Sequence, residues 1–95
     1  MEKIREIMEK IGEYGEAVLV YERNERIGTE EIVHNYELLQ QFKNTTLWLI
    51  QVYTEYNSDD GDEYCINKIY RDENGNLWLQ RTLVNEDVLQ IYRIY

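Results

Sequence analysis

Residues 2–11 place Ile4, Ile7, Met8 and Ile11 at i, i+3, i+4 and i+7, with Glu2, Lys3, Arg5, Glu6, Glu9 and Lys10 filling the other positions. One apolar stripe on a 3.6-residue period predicts a helix that faces a core. Glu6 precedes Lys10 by four in the favourable order, and Gly12 with Gly15 supply permissive backbone to end the segment. Ala17 to Tyr21 is a short, nearly continuous apolar run with β-branched Val18 and Val20. That pattern fits a strand buried on both faces, and Asn24 and Gly28 punctuate the loop expected after it.

The spacing next predicts a second helix, over 30–43. Thr29 is its candidate cap, Glu30 and Glu31 complement the positive helix end, and Ile32, Val33, Tyr36 and Leu39 recur at helical spacing before Lys43 and Asn44. Leu38 and Phe42 fall beside that stripe, so the helix either sits in a crevice or offers a second face.

From Thr45 onward β-branched and aromatic residues dominate, with turn clusters at 57–62 and 72–76. Three strands joined by hairpins are expected, at about 46–56, 63–71 and 77–84. Asn74-Gly75 reads as a type I′ turn, which requires positive φ at both central positions. Asn85, Glu86 and Asp87 resemble a helix start, with Val88, Ile91, Tyr92 and Tyr95 at helical spacing, yet the Ile, Val and Tyr content and the hairpin context select a strand over 88–94. The expected fold class is therefore α+β: two helices packed on a largely antiparallel sheet in the order α-β-α-β-β-β-β, with a helix as the alternative for the last strand.

In the first and third meander strands both parities carry apolar groups: Trp48, Ile50 and Val52 against Leu47, Leu49 and Tyr53, then Leu77, Leu79 and Leu83 against Trp78 and Val84. A sheet covered on one side would alternate more cleanly, so the second face packs a helix, meets another subunit or binds a partner.

Ninety-five residues suit one domain, 1–95, and a 43% hydrophobic content with two Trp and nine Tyr supplies a packed core. The single Cys65 excludes an internal disulfide framework, and no apolar run is long enough for a signal peptide or membrane span, so a reducing, cytoplasmic setting is expected. The net charge of −9 changes the picture most. It repels phosphate backbones and anionic lipid, which disfavours direct nucleic-acid or membrane binding, and it attracts basic surfaces, including those of nucleic-acid-binding proteins. It also keeps a protein soluble without any partner.

No catalytic constellation stands out. Paired carboxylates for acid–base work need one member in an apolar pocket, whereas the acidic residues here occupy polar helix faces and loops. His34 lacks a second His for a metal cluster and projects to the solvent side of the second helix. Cys65 lacks a neighbouring His or Cys and reads as a small buried hydrophobe. Gly12 to Gly15 feeds a strand with no following GK[ST], so no phosphate loop forms. Asp59, Asp60, Asp62 and Glu63, with Glu55 nearby, lack the twelve-position calcium-loop spacing; no metal or other cofactor is expected.

The same five carboxylates are consistent with a solvated hairpin loop, or with a row of charges that imitates phosphates. Tyr53, Tyr56 and Tyr64 flank them, and tyrosine combines a rigid contact area with a hydroxyl that tolerates water. The sequence thus points to a small acidic inhibitor that blocks a basic, nucleic-acid-handling partner, with Glu55, Asp59, Asp60, Asp62 and Glu63 for the charge contact and Tyr53, Tyr56 and Tyr64 as anchors. Phage anti-defence proteins such as anti-CRISPRs, and nuclease immunity proteins, share its size, charge and missing catalytic groups, an analogy that no residue motif carries. The competing reading is a structural or assembly subunit that forms a homodimer through an apolar sheet face. A small-ligand pocket would need convergent polar groups that the pattern does not supply.

Overall fold

The computed structural model describes residues 17–95, so the helix expected over 2–11 lies outside the described residues. Six strands succeed one another along the chain: β1 Ala17–Asn24, β2 Glu30–Val33, β3 Leu47–Tyr56, β4 Glu63–Asp72, β5 Leu77–Leu83 and β6 Val88–Ile94. One helix, α1 Tyr36–Asn44, lies between β2 and β3. The strands form a single sheet in the order β2-β1-β6-β5-β4-β3, every neighbouring pair antiparallel. Strands take 58% of the described residues and helix 11%, which corrects the expected α+β class of two helices on a sheet to a mostly antiparallel sheet with a single short helix.

The largest departure from expectation lies at 30–43. β1 runs on to Asn24 rather than stopping at Tyr21, the chain reverses at Gly28 with φ +92, and 30–33 return alongside as a strand, with Tyr21 opposite Val33 and Asn24 opposite Glu30. Cross-strand pairing here overrides helical spacing: of the supposed stripe only Leu39 is buried, while Ile32, Val33 and Tyr36 are exposed. The helix begins only where its backbone donors find acceptors. Asn35, not Thr29, is the N-cap, its Oδ1 accepting from the Leu38 N–H at 3.0 Å, while the Val20 carbonyl accepts from both His34 and Asn35. Asn35→Ala should lower stability by about 1 kcal/mol in urea denaturation, and Asn35→Asp should retain most of it.

α1 covers one face of the sheet. Buried Leu39 joins Val20, Tyr21, Trp78 and Ile91, and Leu38 and Phe42, which fell beside the expected stripe, complete the contact. Phe42 meets Trp78 edge-on at 5.3 Å between ring centroids. The opposite face carries Ile69, Leu79 and Ile94 with Tyr53, Leu77 and Tyr92. Both faces of β5 are thus packed, as its double apolar parity implied, whereas β3 leaves Trp48, Leu49, Ile50 and Val52 exposed.

The last segment is a strand, joined to β5 by a turn in which Asp87 holds φ +52. The 72–76 turn lies where Asn74-Gly75 placed it but is not type I′: Gly75 has φ +81 and Asn74 has no positive φ. Asp72 N–H donates to the Asn76 carbonyl at 2.9 Å around a three-residue loop, the turn being locked by the Asp72 side chain. Buried Arg93 lies over the rings of Trp78 and Tyr95, at 5.3 and 4.6 Å from their centroids.

Candidate functional site

The β3–β4 hairpin carries every residue the sequence singled out for partner contact. Its strands pair Tyr53 with Asn67, Glu55 with Cys65 and Tyr56 with Glu63, with a register shift just before Tyr56. The tip is folded by its own groups. The Asn57 N–H donates to the Asp62 carbonyl at 2.7 Å and the Gly61 N–H to the Asn57 carbonyl at 2.8 Å. Asn57 Oδ1 accepts from the Asp59 amide and Asp60 Oδ1 from the Asp62 amide, at 3.0 and 2.9 Å. Side chains that bond to backbone two residues on are how Asn and Asp hold tight turns.

This scaffold leaves Asp59, Asp60, Asp62 and Glu63 exposed, with Tyr56 and Tyr64 exposed beside them. None of the four carboxylates forms an ion pair among the described residues; the pairs there are Arg23–Glu25, His34–Glu22 and Arg81–Glu55. The tip is therefore a negative projection, without an ion pair among the described residues and flanked by two aromatic rings.

Glu55 and Tyr53 lie lower and are engaged inside the protein. Tyr53 packs against the Ile69, Leu79 and Ile94 cluster. Glu55 Oε2 accepts from Asn67 Nδ2 at 2.9 Å and from Arg81 Nη2 at 3.2 Å. Arg81 Nε reaches Asn67 Oδ1 at 3.1 Å, which closes a three-membered polar network. Partial burial pushes the Glu55 carboxyl up, but the Asn67 amide and the Arg81 charge outweigh it and hold the group below its ordinary value. The hairpin thus brings the chosen residues together in sequence but divides them in role: six face solvent at the tip, two support its base.

Asn67 and Arg81 had no signal as isolated residues, yet their parity carried one, since Cys65, Asn67 and Ile69 point to one side of β4 and all three are fully buried. Asp72 was likewise read only as a turn residue. Its carboxylate is buried and accepts from the amides of Asn74 and Asn76 and from Trp78 Nε1.

The chain matches no known protein family, no characterised protein and no solved structure. Its chemistry has to be read from its own residues. Cys65 is fully buried, and burial raises its thiol above the ordinary value, the reverse of what a thiolate nucleophile needs. His34 lies in the exposed corner between β2 and α1 rather than on a helix, its Nε2 3.2 Å from Glu22 Oε2. Among the described residues no group of three His, Cys, Asp or Glu side chains is placed to hold a metal ion, and no helix is long and apolar enough to cross a membrane.

Proposed function

We propose that this chain is a stoichiometric binding protein that docks on a basic, nucleic-acid-handling protein and blocks it, in the manner of anti-CRISPRs or nuclease immunity proteins. The observation that carries the reading is the hairpin tip: four exposed carboxylates, unpaired among the described residues, fixed on a short self-bonded loop between two exposed tyrosines. A fixed array of negative charge steers a basic surface and sets its register, while rigid aromatic flanks supply contact area at low entropic cost. Tyr56 and Tyr64 take the anchor role, and Tyr53 and Glu55 support them from below.

Asp59→Asn, Asp60→Asn and Asp62→Asn made together test the assignment. Exposed loop carboxylates add little to stability, so unfolding should shift by less than about 0.5 kcal/mol. Capture of the basic partner from the native host should fall roughly tenfold, and wild-type capture should weaken steeply as salt rises. Capture by the triple variant equal to wild type rejects the tip as the contact.

A further inference from the structure

The sheet has two rims, and they are built differently. β2 is four residues long and carries Glu30 and Glu31, the short and charged form of an edge strand that resists further pairing. β3 is ten residues long, has β4 as its neighbour among the described residues, and bears no charged side chain before Glu55, whose carboxylate is turned to Asn67 and Arg81. Along it Trp48, Leu49, Ile50 and Val52 are 54%, 51%, 41% and 44% exposed. Four large apolar side chains exposed along one strand, shared between its two faces, exceed the single scattered residues that need no explanation.

A bulge in β3 determines what can lie against it. Leu49 is opposite Tyr70 and Gln51 opposite Ile69, which leaves Ile50 as the extra residue. In an unbroken strand positions 49 and 52 lie on opposite faces. Here the insertion brings Leu49 and Val52 to one face, opposite Tyr70 and Lys68, and Trp48 and Tyr53 to the other, opposite Arg71 and Asn67. Directly opposed residues of an antiparallel pair share a face. A two-fold axis between Ile50 and Gln51 therefore sets Leu49 against Val52 of a second copy and Trp48 against Tyr53, each pair twice and each on a matched face.

We infer that β3 pairs with β3 of a second copy about that axis, which joins two six-stranded sheets into one continuous sheet. The contact is the strand rim rather than a sheet face, and it stands independently of the partner-binding reading of the tip. Charge permits it. At about 3.3 Å per residue Asn57 lies roughly 20 Å from the axis, so the two acidic tips are roughly 40 Å apart, well beyond the screening length of about 8 Å at physiological salt. A single strand pair is smaller than the roughly 1,200–2,000 Å² of a standard interface, which places the contact among weak, reversible associations.

Sedimentation equilibrium of the full chain across micromolar concentrations tests this. The mass should rise from 11.6 kDa toward twice that value. Val52→Lys and Leu49→Glu should each weaken association at least tenfold, and combining them sets Glu against Lys at both symmetric positions and should restore it. Hydrogen exchange on the unaltered chain reads the same rim without substitution, with β3 amides gaining protection as concentration rises. A wild-type mass fixed at 11.6 kDa, a Val52→Lys chain that dimerises as wild type does, a double variant no better than the single ones, or protection gained on another strand each overturns the inference.

Discussion

Asp72→Ala is expected to cost about 3 kcal/mol of folding stability in urea at neutral pH, a large share of the total for a chain this size. The carboxylate is buried, its Oδ1 accepting from the Asn74 and Asn76 amides at 2.8 and 2.9 Å and its Oδ2 from Trp78 Nε1 at 3.0 Å. Removing it strands an indole N–H with no solvent access, since Trp78 is fully buried, while the two turn amides lose the acceptor that closes their loop. Asp72→Asn should lose less, because one oxygen remains for the amides. The same group predicts acid sensitivity. Burial pushes its pKa up, but the Trp78 bond and the Asn76 and Asn74 amides prevail and hold it below 3.8. A carboxyl lowered on folding contributes fully above its unfolded value and loses that contribution as pH falls through its folded one. Wild-type stability should therefore decline as pH drops below about 3.8, and Asp72→Ala should show a flatter acid limb. Parallel limbs would reject the assignment.

Asn67→Asp, nearly isosteric, is expected to cost about 3 kcal/mol at neutral pH despite adding no volume. Asn67 is fully buried, with Nδ2 donating to the Tyr53 carbonyl at 3.3 Å and to Glu55 Oε2 at 2.9 Å. The substitution replaces that donor with an acceptor facing two acceptors, and places a second carboxylate against Glu55. Arg81 offsets part of the repulsion, and the pair should retain a shared proton. Carboxyls raised on folding favour the folded state when protonated, so the deficit should shrink as pH falls toward the ordinary carboxylate range and be largest above it. Chemical denaturation across that range measures it. A deficit independent of pH would mean that packing, not charge, is responsible.

These two residues also show where sequence reading reaches and where it stops. Strands 63–72, 77–83 and 88–94 were legible because β-branched and aromatic runs lie between strong turn residues, and hairpin neighbours need little long-range information. The stretch 30–33 was not, because its pairing with Tyr21–Asn24 is fixed by how far β1 extends, and exposed Ile32 and Val33 have the same letters as a helix stripe. The acidic tip was legible as composition. That Glu55 belongs to a support network and not to the tip depends on the registers Glu55–Cys65 and Asn67–Arg81, which join three strands that no local window spans.

The order of the strands also constrains how the chain reaches its fold. β1 and β6 are hydrogen-bonded neighbours in the interior of the sheet, with Ala17 opposite Ile94, so the start of the described chain and its end meet in the middle. The β3-to-β6 meander can assemble from neighbours in sequence, but β1 and β2 have no place to dock until β6 exists. During synthesis the docking of β1 and β2 must wait for β6 to emerge, and loop closure over such a span slows it further. Loss of β6 would then part β1 and β2 from the other strands rather than trim the sheet's margin.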